Sequence, residues 1–270
     1  MKTIFALTSI GVALICRGTM ADLRPIVEVE NGYLLGAIAD GKAIKADEVA
    51  KSMADETTYR VYGLTQAVGE AKAGKPKNED VPCKEQLSVS LSPKPEKGVI
   101  AIGGSWNALP RTVQSLDTTQ KVYVDAACDF LKTKGIDRPE VKIDNIIRVD
   151  LDGDGEEEVL ISATNYFSNE NRLPMRSPAG SYSMVLLRRV VAGKVKTQLV
   201  EGAFHPKAYV TKDDSFDAPN AYEVIAVLDL DGDGKMEIVV GSRYYEGEAT
   251  TIYRCEPKKC EPLLSAGCGA

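Results

Sequence analysis

The sequence predicts a mainly β protein of blade-like antiparallel sheets, with one prominent α-helix near residues 118–134. Three observations carry this. Short runs such as "NIIRV", "EVLIS", "VIAVL" and "EIVVGS" are rich in β-branched residues and bounded by Gly and Asp, as buried strands are. Only "DTTQKVYVDAACDFLKTKG" (117–135) keeps a helical period over several turns. And "IIRVDLDGDGEEEVLISATNYF" aligns with "IAVLDLDGDGKMEIVVGSRYYE" at an offset of 79 residues, so part of the chain is an internal repeat. An α+β two-domain arrangement is the alternative.

In chain order, residues 1–21 read as a signal peptide. Lys2 gives the positive start, residues 4–15 an apolar core too short to span a membrane, and Thr19, Met20 and Ala21 a small-residue cleavage site. A lipid anchor on Cys16 is disfavoured by Ile15, where a small residue is expected. Residues 22–115 read as an N-terminal β-rich domain. Strands are expected at 26–29, 33–38, 59–64, 87–91 and 99–102, a turn at "ADGK" (39–42) and a short helix at "KADEVAKSM" (45–53). Pro, Gly and charge content mark 69–82 and 92–98 as loops.

Residues 116–270 form the second domain. Its helix is expected to be capped by Asp117 and Thr118 and ended by Gly135, with Val124, Ala127, Cys128 and Leu131 on one apolar face. The two repeats follow, each predicted as strand, acidic loop, strand, long loop, strand, turn, strand. Four antiparallel strands make a sheet the size of one propeller blade.

Charge and cysteine usage narrow the function. The formal net charge is −6; loss of residues 1–21 removes Lys2 and Arg17 and no acid, taking it to −8. That argues against nucleic acid or anionic lipid as partner, because phosphate contacts need clustered Lys and Arg. After removal of the signal no membrane insertion is expected, and the protein is placed in a secreted or periplasmic compartment. Six cysteines minus Cys16 leave five, so at least one thiol is free or paired with another chain. Cys255 and Cys260 flank "EPKK" between two expected strands and are the first choice for a disulfide. With one histidine and unpaired cysteine spacings, zinc is disfavoured.

The acidic loops carry the clearest chemistry. Asp at positions 1, 3 and 5 puts three carboxylates on one side of a tight turn, with Gly at position 6 for the bend. Such a cluster repels itself when empty and suits a hard cation that takes six to eight oxygens, calcium before magnesium. A helix–loop–helix site would need Glu at position 12, where Ile161 and Val240 stand; both loops instead have Glu at position 9. The expected ligand sets are Asp150, Asp152, Asp154 and Glu158 for one Ca2+, and Asp229, Asp231, Asp233 and Glu237 for a second, with the backbone carbonyls of Glu156 and Lys235 added.

The pattern D-x-D-x-D-G-x-x-[DE] between apolar strands, followed by "VVGS", resembles the FG-GAP (VCBS-type) repeat of integrin alpha-chain propellers and many secreted bacterial proteins, over roughly residues 142–264. The resemblance implies calcium held between two strands of a blade, in a propeller-like or partial propeller fold. Two clear repeats are fewer than a closed propeller needs.

The function these readings favour is a secreted calcium-binding β-repeat protein, a non-catalytic interaction or adhesion-type module whose partner is an unknown protein or glycan. The alternative is a secreted hydrolase with an unrecognised carboxylate or His205 site; no G-x-S-x-G, H-E-x-x-H or P-loop is present. Trp106 is expected to plug the junction between the two regions. Tyr166, Phe167, Tyr244 and Tyr245, just past the acidic loops, are candidates for an exposed rim or for a cover over the core.

Overall fold

The computed structural model describes residues 23–167, 173–174, 176–208 and 219–269; the expected signal peptide lies outside the described residues. The chain is mainly β. Its first part gives β1 (Ile26–Glu28), β2 (Leu34–Ala39), β3 (Lys42–Lys45), α1 (Ala46–Ser52), β4 (Thr57–Tyr62), β5 (Ala67–Ala73), β6 (Lys77–Asn78), β7 (Leu87–Ser88) and β8 (Ile100–Ile102). Six of these strands form one sheet in the order β3-β2-β1-β8-β4-β5, and β6 pairs with β7. The turn between β2 and β3 puts Asp40 and Gly41 at φ 50° and 71°. Two successive positive φ values match the twist of a tight hairpin, and Asp and Gly tolerate them.

The second part gives β9 (Gln114–Leu116), α2 (Lys121–Thr133), β10 (Ile143–Val149), β11 (Glu158–Thr164), β12 (Ser181–Val191), β13 (Lys194–His205), β14 (Ala221–Leu228), β15 (Glu237–Tyr244), β16 (Gly247–Glu256) and β17 (Lys259–Gly269). β10 to β13 make an antiparallel meander with β9 added at its β10 edge, and β14 to β17 make another. Each meander is one blade-like repeat, with its acidic loop joining the first two strands. β9 crosses the boundary drawn at 115/116 and pairs with β10.

Strict alternation along the strands fixes how these sheets stack. From the β14–β17 sheet, Leu228, Val239 and Ile252 point one way and meet Ile26, Leu35 and Ile102 of the six-stranded sheet. Val227, Ile238 and Tyr253 point the other way and meet Ile147, Leu160 and Val185 of the β9–β13 sheet. The outer face of the six-stranded sheet is covered by α1 through Val49. That of the β9–β13 sheet is covered by α2 through Ala127 and Leu131. The second repeat is thus the middle layer of a helix–sheet–sheet–sheet–helix stack, although it comes last in sequence.

Several local expectations change. Residues 69–73, expected as loop, belong to β5, which pairs with β4 from Thr57↔Ala73 to Tyr62↔Ala67. Its buried positions are alanines, Ala71 and Ala73, too small to announce a strand. The strand expected at 87–91 shrinks to Leu87–Ser88. The N-cap of α2 is Gln120, with no side-chain cap bond. Asp117 instead accepts the amide and hydroxyl of Thr119, both at 2.8 Å, in a turn ahead of the helix. Gly135, at φ 83°, lies just past the helix end. Val124 and Cys128 are half-buried rather than core.

Two disulfides are present among the described residues. Cys255 and Cys260, directly opposite across β16 and β17, are joined, and Cys83 is joined to Cys268 near the end of β17. Cys128 is free. Among the described residues no helix is long and apolar enough to cross a membrane.

Candidate metal centres

Both acidic loops fold by the same local bonds. In the first, Asp150 accepts the amides of Gly153 at 2.7 Å and Gly155 at 3.1 Å, and Glu158 accepts the amide of Leu151 at 2.9 Å. In the second, Asp229 accepts Gly232 at 2.7 Å and Gly234 at 3.0 Å, and Glu237 accepts Leu230 at 3.0 Å. All four glycines take positive φ, from 79° to 90°, which side chains with a Cβ rarely adopt. The first and ninth residues thus clamp the loop from inside. The amides of Glu156 and Lys235 donate to Asp154 and Asp233, each at 2.7 Å.

Carboxylate oxygens converge in each loop. Those of Asp150, Asp152 and Glu158 lie within 4.8 Å of one another, as do those of Asp229, Asp231 and Asp233. Three hard oxygen donors so close together could hold a hard metal cation. The two triads differ in membership. Asp154 is outside the first and Glu237 outside the second. Glu237 turns one oxygen to the Leu230 amide and the other to Arg254, whose Nε lies 2.9 Å away and whose Nη2 also donates to it. The same Nη2 reaches Asp231 at 3.2 Å, and Nη1 donates to the carbonyl of Gly41 at 3.1 Å. Glu158 has a looser counterpart, with Nε of buried Arg189 at 3.8 Å.

Burial dominates the electrostatics. It pushes the carboxyl of Glu237 up to about 7, against the opposing pull of Arg254 and of the Leu230 amide. Burial also raises Asp229 and Glu158, and neighbouring aspartates of each loop push in the same direction. A multivalent cation would relieve this by favouring the ionised forms.

The two loops lie side by side. The amide of Met236 donates to the carbonyl of Leu151 at 2.8 Å. Arg111 clasps both, donating from Nε to the Asp150 carbonyl and from Nη2 to Leu151 at 2.9 Å and Gly234 at 2.6 Å. Trp106 ties the second loop to the six-stranded sheet: its indole N–H donates to the Asp229 carbonyl at 2.8 Å, while Arg24 covers its ring at 4.5 Å.

Sequence reading missed Arg111, Arg189 and Arg254. The one signal available was an arginine in the third strand of each repeat, in "MVLLRR" and "TTIYR". Arg111 has no counterpart in the repeat pattern. Of the aromatics, Tyr166 is buried, at 4 % exposure, rather than on a rim, and Tyr245 is exposed. His205 ends β13, half-buried, with its ring 6.2 Å from that of Tyr166.

The FG-GAP repeat family model matches residues 221–253, which span β14, the second acidic loop, β15 and most of β16. The chain therefore carries an FG-GAP-type repeat, of the kind found in β-repeat interaction modules. Searches of curated proteins and of solved structures each found no match.

Proposed function

We propose that this chain is an extracytoplasmic β-repeat protein that binds two calcium ions in its paired acidic loops and acts by holding a partner rather than by catalysis. The observation that carries the reading is the doubled geometry: two loops with the same internal clamps and convergent carboxylates, side by side in adjacent sheets. FG-GAP repeats are often calcium-binding and occur in extracellular proteins. Two disulfides suit an oxidising compartment. The ligands would be Asp150, Asp152, Asp154, Glu158 and the Glu156 carbonyl for one ion, and Asp229, Asp231, Asp233, Glu237 and the Lys235 carbonyl for the other. The ion's work here is to offset carboxylate repulsion and to fix the seam between the two repeats.

The test is the melting temperature of the chain from Asp22 in calcium and after chelation, with metal content by mass spectrometry. Two calcium ions per chain are expected, one in Asp152→Ala. At ~1 mM calcium and a dissociation constant of ~0.1 mM, each site contributes about 1.4 kcal/mol. No bound metal and no thermal shift would end the calcium reading.

A further inference from the structure

The acidic loops occupy one end of the strands; a cleft lies at the other. β14 is eight residues long, so the two ends are roughly 25 Å apart. The cleft has a volume of about 470 Å³, within the range of small-ligand sites. All three large sheets contribute to its wall, which carries five carboxylates: Glu28, Glu30, Asp144, Glu223 and Glu248. Arg243 is the one cationic side chain among the described lining residues, and its guanidinium lies over the ring of Phe167 at 5.0 Å.

The wall is built rather than merely acidic. Glu223 receives the side-chain amide of Asn145 at 2.9 Å, and Glu248 that of Asn31. In each case one oxygen is held and the second accepts no hydrogen bond among the described residues. Glu28, 7 % exposed, is fixed by the amides of Glu30 and Asn31. Thr250, 6 % exposed, lines the cleft from the middle sheet, and its hydroxyl makes no hydrogen bond among the described residues. As both donor and acceptor, that hydroxyl can bond a ligand in the cleft. Tyr33 adds a ring face, which attracts cations, while Phe167 already carries Arg243.

We propose that this cleft binds an alkylammonium group, with Glu223 and Glu248 as its counter-charges, Thr250 as a hydrogen-bond partner and the Tyr33 ring as a wall for the methylene stem. The chemistry is shared by a lysine side chain on a partner protein and by a free polyamine. The inference gives the interaction role proposed above a ligand class, and uses none of the acidic-loop residues.

The test is isothermal titration calorimetry on the full mature chain in 1 mM calcium. The probes are spermidine, a blocked Gly-Lys-Gly peptide and the same peptide with its lysine acetylated. One saturable site is expected for spermidine or for the lysine peptide. Tighter binding of the first marks a free polyamine as the source, of the second a partner's lysine. The acetylated peptide should not bind. Glu223→Gln with Glu248→Gln should weaken binding at least about tenfold, Thr250→Val roughly threefold, and Asp152→Asn not at all, while that last change removes bound calcium. Should the double variant fail to fold, Thr250→Val and the acetylated peptide decide. No saturation by either amine, equal binding of the acetylated peptide, or unchanged affinity in a folded double variant would overturn the proposal.

Discussion

The two repeats share a loop sequence and differ in surroundings. The first sits in an outer sheet, backed by α2, and its Glu158 has one arginine at 3.8 Å. The second is the middle layer, buried on both faces by other sheets. Its Glu237 and Asp231 share Arg254, its Asp229 backbone is held by Trp106, and both disulfides among the described residues attach to its last two strands. One sequence pattern thus supports two electrostatic states. Where burial is deeper an arginine bonds the loop carboxylates directly, and where the loop is nearer water the arginine stands farther off.

The comparison can be broken most strongly at the disulfides. Cys83–Cys268 closes 185 residues of chain, and replacing both by serine should lower stability by about 5 kcal/mol; the five-residue separation of Cys255–Cys260 should give only about 2. Chemical denaturation under non-reducing conditions measures both. Equal losses would show that the long closure is not what anchors the middle sheet.

Next come the arginines. Arg254→Met leaves Glu237 buried without its partner and should cost about 3 kcal/mol in chelator. Arg189→Met should cost about 1, because it removes a looser pair and a buried Nε with no hydrogen-bond partner. Arg111→Ala falls between, at about 2 kcal/mol, and should make the two repeats melt less cooperatively, since it takes away three bonds that span the seam. If Arg189→Met proved as damaging as Arg254→Met, the two loops would be equivalent after all.

Calcium sharpens the same contrast. Arg254 already lies against two carboxylates of the second loop and would compete there with the calcium proposed above. Asp152→Asn should therefore remove more of the calcium-induced thermal shift than Asp231→Asn, with about 1.4 kcal/mol as the scale of one site. Calorimetry of the two variants side by side reads this directly.

The smallest effect is expected at the far end. Asp144 keeps an exposed edge, yet burial of its carboxyl and then the neighbouring Glu223 push it up to about 6, from 3.8. The folded state then holds its proton more tightly than the unfolded chain. This corner is most stable below pH 4 and loses stability as pH rises through 6. Asp144→Asn should raise the melting temperature by roughly 1–2 °C at pH 7.5 and leave it unchanged near pH 3.5.

Much of this was legible in the chain. The consecutive apolar, β-branched residues in "NIIRV" and "EIVVGS" marked buried strands, and spacing placed the carboxylates and glycines of both loops, because such turns depend on residues close in sequence. β5 was hidden because its inward residues are alanines that acquire meaning only against β4. By itself, then, the sequence determined the β class, α2 and the two acidic loops, all set by contacts within a few residues or by period. The tertiary structure alone decided that the last repeat lies in the middle, that Arg111 and Arg254 complete the loops, and that five carboxylates share a cleft. Those depend on residues up to about 220 positions apart, such as Asn31 and Glu248, whose meeting follows from how three sheets stack rather than from any local pattern.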